Sequence, residues 1–357
     1  MGSSILSLAW RSVWNRRASA MLTILAIALS VALFLGVEKA RKSARAGFEN
    51  TISGTHLIVG APTGQVNLLL YSVFRIGNAT AEMNWDAYEA LAARDDVSWT
   101  IPISLGDNHR GYRVLGTNQA YFDHYQYGPS TALIFRQGEA FDDMYDAVLG
   151  ASVARELGYS VGDEFELTHG LGEAHGLSDH DDKHFHVVGI LAPTGTPVDR
   201  TIHIPLEGIT AIHVGWESGT KSPLADTIDE HTIRSFDLTP HTITAAFVGL
   251  KNKGTVLRTM REINTDRSRP LLAIMPGEAL RQLWQVIGSV ERILLAVSAF
   301  VIAVGLVSIL TSILTSLNER RREMSVLRAV GAQPGHIVGL MMSEAAGLGL
   351  VGALLGA

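Results

Sequence analysis

An uncharged run of 20 residues, Ala18 to Val37 (ASAMLTILAIALSVALFLGV), constrains this chain more than any other feature. At about 1.5 Å per helical residue it is roughly 30 Å long, the thickness of a bilayer's hydrocarbon. A secretion signal also places Arg16 and Arg17 before an apolar stretch, but its apolar core is only about 7–15 residues long. The run therefore reads as an uncleaved anchor. Ile293 to Leu317 is a second uncharged run, of 25 residues, and Ile337 to Ala357 is a third, interrupted by Glu344 alone. The expected class is a membrane protein of α-helical transmembrane segments, with a large α+β extracytoplasmic domain inserted after the first span.

Charge is distributed to match. Residues 1–37 carry three Arg and no acid, and residues 291–357 carry five Arg and four Glu. The middle holds 21 bases against 31 acids, so it belongs in water and repels nucleic-acid phosphates. The second span has Arg320, Arg321, Arg322 and Arg328 beyond its C-terminal end, which places that end in the cytoplasm. Basic residues flank the first span on both sides. A loop of about 250 residues must start and finish on one face, and the second span makes that face the outer one. The absence of cysteine is compatible with export but does not demand it. The expected segments are a cytoplasmic stretch over 1–17, a first span over 18–37 and an outer domain over 38–290. A second span with its preceding stalk follows over 291–317, then a cytoplasmic segment over 318–336 and a third span over 337–357.

Within the outer domain, β-branched runs predict strands over His56–Ala61, Val97–Leu105, Ala147–Gly150, Glu164–Thr168, Phe185–Leu191, Thr201–Ile204, Thr242–Leu250 and Leu271–Met275. Helices are predicted after an Asn84 cap, over Ser152–Leu157 before Gly158, and over Thr255–Ile263. The polar stretch Ser218–Pro240 reads as a long loop. From Pro276 the pattern turns helical and runs into the second span.

Two motifs fail on context. Gly215–Ser222 (GWESGTKS) resembles a phosphate loop, but Thr220 stands where glycine must precede the lysine and no strand-to-helix frame surrounds it. Gly347–Gly352 (GLGLVG) matches a dinucleotide fingerprint yet lies inside an apolar run. There Gly347, Gly349, Gly352 and Gly356 are expected to let helices pack closely. No G-x-S-x-G and no H-E-x-x-H occurs, so hydrolase chemistry has no visible nucleophile or zinc pair.

Two clusters remain. Five of the 13 histidines, His169, His175, His180, His184 and His186, fall within 18 residues among Glu173, Asp179, Asp181 and Asp182. Imidazole and carboxylate ligate zinc, and a solvated acidic hairpin fits the same residues. The stretch Asn318–His336 (NERRREMSVLRAVGAQPGH) sets Met324, Leu327, Ala329 and Val330 among arginines and breaks at Gly331 and Pro334. By spacing alone, a helix that a motor protein grips and an ordinary positive-inside loop fit equally well.

The run ERRREMSVLRAVGA, followed by GHIVGLMMSEAAGLGLVGALLG, resembles the signature of the MacB/FtsX-like permeases, the mechanotransmission class of ABC transporter membrane subunits. Tyr112–Phe122 (YRVLGTNQAYF), Gly138–Phe141, Ala147–Gly150, Ala154–Leu157, Gly162, Asp163 and Val187–Ile190 resemble their extracytoplasmic core domain. The resemblance implies a homo- or heterodimer of permease subunits in a bacterial inner membrane, with the large domain in the periplasm. It implies no catalytic residue in this chain, with ATP and Mg²⁺ bound by a separate ATPase subunit. Glu319, Arg320, Arg321, Arg322, Glu323, Arg328 and Gly331 would belong to the coupling helix that meets that ATPase. Such permeases have four spans, this sequence ends in its third, and the expectation is that a further segment exists. Glu344 matches the family pattern, and as an intramembrane acid it is either functional or only hydrogen-bonded near the headgroups. The cargo expected is a lipoprotein, peptide or other amphiphile, or the motion regulates a periplasmic partner. The competing reading is a membrane-anchored periplasmic protein that binds or senses zinc through His169, His175, His180, His184 and His186 with Asp179 and Asp182.

Overall fold

The structure, a computed structural model, describes residues 17–169, 179–214, 230–319, 325, 328–329 and 333–357. The chain divides into two compact units, Met1–Ala44 with Gln285–Ala357, and Arg45–Trp284.

The described residues of the first unit are almost all helical. Helix α1 spans Arg17–Glu49, and its stretch Ala20–Lys39 is the one described segment long and apolar enough to cross a bilayer. Met21, Leu22, Leu25 and Leu29 are exposed along it, which a water-facing helix does not tolerate. The apolar stretches Arg292–Val307 and Ala345–Gly356 are also helical but shorter than a full span among the described residues.

The second unit is an α+β domain on one ten-stranded mixed sheet. Its strands are β1 (Leu57–Gly60), β2 (Val97–His109), β3 (Tyr112–Thr117), β4 (Phe135–Gly138) and β5 (Asp146–Leu149), then β6 (Glu164–His169), β7 (Asp179–Leu191), β8 (Thr201–Pro205), β9 (Ala245–Leu250) and β10 (Leu272–Ile274). Spatially the order is β10-β1-β9-β2-β3-β8-β5-β7-β4, and β6 pairs with both β7 and β2. The pairs β3–β8 and β5–β7 are parallel and the rest antiparallel. Strands β1, β8 and β9 are buried along their whole length, so both faces are covered.

The covering helices are α2 (Gln65–Phe74), α3 (Trp85–Ala92), α4 (Ala120–His124), α5 (Ala151–Leu157), α6 (Leu206–His213) and α7 (Val256–Thr265). Two further helices are long: α8 (Pro276–Glu319) contributes residues to both units, and α9 (Pro334–Gly356) belongs to the first. Gly158 stops α5 at a φ of 78°, where an L side chain is strained. Asn84 does precede α3, but its side chain makes no capping bond. Of the predicted Ser218–Pro240 loop, residues 218–229 lie outside the described residues and Glu230–Ile233 forms a helical turn.

In the first unit a Cβ on Gly352 would lie 2.7 Å from Ile27 Cβ, and one on Gly356 would lie 2.3 Å from the Ala28 carbonyl oxygen. These two glycines let α9 touch α1. Among the described residues a Cβ on Gly347 or Gly349 would meet nothing within 4 Å, so the contact with α1 falls on Gly352 and Gly356.

Candidate functional site

Three groups of residues bear on function. The first is the hairpin β6–β7. The sequences EFE and HFH pair in register, His184 opposite Glu166, Phe185 opposite Phe165 and His186 opposite Glu164. The period of two buries both phenylalanines and turns the polar residues outward. His184 Nδ1 lies 3.4 Å from Glu166 Oε1, and His186 Nδ1 lies 3.3 Å from Glu164 Oε1. Each histidine thus pairs with the carboxylate across the hairpin, and both pairs are about half exposed. His186 also lies near Asp143, whose pKa is lowered first by its bond to Arg234 and further by His186. Among the described residues no group of three His, Cys, Asp or Glu gathers to hold a metal. His169 ends β6, and Asp179, His180 and Asp182 lie in β7. His175 lies outside the described residues.

Beneath the hairpin, β2 delivers His109 into the core. Its Nδ1–H donates to the Glu166 carbonyl at 2.6 Å, which leaves Nε2 to accept from the Tyr159 hydroxyl at 3.0 Å. Burial holds this imidazole neutral, with its pKa down at about 4. The ring is therefore a structural bolt between β2 and β6.

The second group is the root of the outer domain. The Phe48 ring stands 4.5 Å from Phe74 and 5.6 Å from Trp284, centroid to centroid. Phe48 and Ile52 from the chain entering the domain, and Ala279 and Leu280 from the chain leaving it, pack on one core with Leu69, Phe74, Ile103 and Phe247. Sequence reasoning missed this junction. Its only sequence signal is an aromatic residue just inside each end of the acidic domain.

The third group is the arginine-rich segment. Glu319 is the last residue of α8, and Arg328 is helical and exposed. Arg320, Arg321, Arg322, Glu323 and Gly331 lie outside the described residues. Glu344 sits in α9, ten residues beyond its start at Pro334.

A family profile described as the MacB-like periplasmic core domain matches residues 20–256, and one described as the FtsX-like permease C-terminal region matches residues 295–357. Among solved structures, the chain is similar to the periplasmic region of MacB from Actinobacillus actinomycetemcomitans. That similarity has 10% identity and a TM-score of 0.40, over 65% of this chain and 94% of that one. It is also similar to the extracellular domain of YknZ, a noncanonic ABC-type transporter from Gram-positive bacteria, at 12% identity and a TM-score of 0.35, over 62% of this chain and 99% of that one. No curated protein matches it.

Proposed function

The chain belongs to the MacB/FtsX-like family of ABC transporter permeases, and from that premise we propose that it is the membrane subunit of a mechanotransmission system. The work is done by a separate ATPase that binds ATP and Mg²⁺ in the cytoplasm. Its ATP-bound and ATP-free forms contact Glu319–Gly331 differently, and that difference in affinity is all the energy available to shift the permease between states. The motion travels along α8 into the periplasmic domain, where it moves a lipoprotein, peptide or amphiphile or changes the grip on a periplasmic partner. A second permease subunit completes the pair.

What supports the mechanical half of this reading is the root of the outer domain. Chain entering at Phe48 and chain leaving at Trp284 pack on the same core as the central strands. Packed cores respond to such displacement by switching between discrete arrangements rather than by stretching. Exposed apolar side chains along Ile293, Leu294, Leu295, Val297 and Phe300 support a lipid-facing α8.

The decisive experiment is co-purification with the cognate ATPase and assay of its stimulated hydrolysis, using Arg321→Glu combined with Arg328→Glu. Both should fall about tenfold or more, corresponding to at least ~1.4 kcal/mol of lost contact. Membrane insertion should be unchanged. Wild-type association and hydrolysis in the double variant would reduce this segment to an interfacial loop.

A further inference from the structure

The outer domain carries its charge unevenly. Residues 251–269, which hold α7 and the turns on either side of it, contain six bases against two acids, whereas the rest of residues 38–290 contain 15 bases against 29 acids. Both acids of that stretch are already engaged. Glu262 meets Arg94 at 2.6 Å and Arg258 at 3.7 Å, and Asp266 accepts from the Ser268 amide and hydroxyl. Lys251, Lys253, Arg261, Arg267 and Arg269 are exposed. This charge does not stabilise the helix that carries it. Helix α7 has no acid in its first turn and has Lys253 just ahead of it, the reverse of what a helix dipole favours.

Beside the basic strip lies an acidic one. Residues 81–92, which hold α3, contain Glu82, Asp86 and Glu89 and no base, and all three acids are exposed. The two helices lie on the same face of the sheet, where Tyr88 and Leu91 of α3 and Met260 and Ile263 of α7 join one core. Arg94, which follows α3, ties them together through Glu262, and Thr259 of α7 donates to Asp96 at 2.7 Å. Apolar surface accompanies the charge, because Leu257 on α7 is 64% exposed and Trp85 at the start of α3 is half-buried.

We propose that this face docks on the same face of a second copy of the chain, α3 of each protomer lying against α7 of its partner. This docking rests on the reading that a second permease subunit completes the pair, and it gives that pair its outer contact. A two-fold axis demands a self-complementary surface, and two strips of opposite sign on one face provide it, since each strip then meets its opposite. A lipid surface or a nucleic acid would attract one strip and be repelled by the other. Helices of 8 and 10 residues make a small contact, nearer to a transient interface than to a permanent one. Copies held in one membrane meet at high effective concentration, so such a contact is enough to pair them and weak enough to break when the domain moves.

The test is cross-linking by a flexible bismaleimide between two batches of the full chain reconstituted together in phosphatidylcholine vesicles. One batch carries Ala92→Cys at the end of α3 and the other Thr265→Cys at the end of α7, both exposed positions in a chain with no native cysteine. A covalent dimer should form at about 0.1 M salt and fall about tenfold at about 1 M, as the screening length shrinks from about 10 Å to about 3 Å. Lys253→Glu with Arg261→Glu in both batches should lower the yield about tenfold, and so should Asp86→Lys with Glu89→Lys in both. Placing the first pair of changes in the Ala92→Cys batch and the second pair in the Thr265→Cys batch should restore the wild-type yield, which also shows that both variants fold. Three results overturn the docking: no cross-link between chains of unaltered charge, a yield indifferent to salt and to charge reversal, or no recovery in the mixed pair. Differently tagged chains that still co-isolate in any of those cases leave the paired permease standing, whereas chains that never co-isolate remove both.

Discussion

His203 and His109 are expected to make the outer domain sensitive to acid. Burial lowers the first to about 3 and the second to about 4, both from an ordinary value near 6.5. A depressed folded value means the unfolded chain binds the proton more readily, so the stabilisation is complete above 6.5 and is lost as pH falls towards the folded values. By about pH 4.5 each histidine should have cost about 2–3 kcal/mol. Thermal unfolding followed by tryptophan fluorescence should show a midpoint that drops over that window, with a shallower drop in His109→Gln. A midpoint flat from about pH 6.5 to about pH 4.5 would mean that these rings are not buried neutral. Neither histidine stood out in the sequence, because an isolated imidazole among apolar residues carries no pattern. The hairpin histidines did stand out, but their partners Glu166 and Glu164 were passed over for the carboxylates nearer in sequence, although the pairing pattern was there to read. EFE at Glu164–Glu166 and HFH at His184–His186 have the same alternation, and Phe165 opposite Phe185 fixes which carboxylate meets which ring.

Among the elements, the strands were the most readable, because runs such as LIVG and TIHIP are short, β-branched and bounded by turns. Strands β3 and β4 and helices α2, α4 and α6 escaped. FRQG in β4 is mostly exposed at the sheet edge and lacks an apolar alternation. LLLYSVF in α2 is nearly continuous apolar residue, so its helical period is hidden by burial on more than one side. The third apolar run was legible as a helix, but which glycines face a neighbour was not, since composition alone does not set rotation. That rotation carries a prediction. Gly356→Leu should force α9 away from Ala28 and Val31 and lower thermal stability in detergent by about 1–3 kcal/mol, whereas Gly347→Leu should have little effect. Equal midpoints for the two variants would remove the contact between α1 and α9.

For the whole molecule, the decisive variable is sidedness. The basic cluster after the second apolar run and the long acidic domain predict that residues 38–290 lie outside and residues 318–336 inside. A chain without cysteine allows a clean test. Ser98→Cys, exposed on the outer domain, should react with a membrane-impermeant thiol reagent in intact spheroplasts, while Ser325→Cys should react only after permeabilisation. The opposite pattern would end the transport reading. Sidedness aside, the rings of Phe48 and Trp284 lie only 5.6 Å apart, so a domain of some 240 residues begins and ends at one point. Topologically it is a cassette, a module spliced into a loop rather than a length of chain strung between two anchors. Its size and surface are free to diverge from one family member to the next, provided that the spacing at the splice is kept.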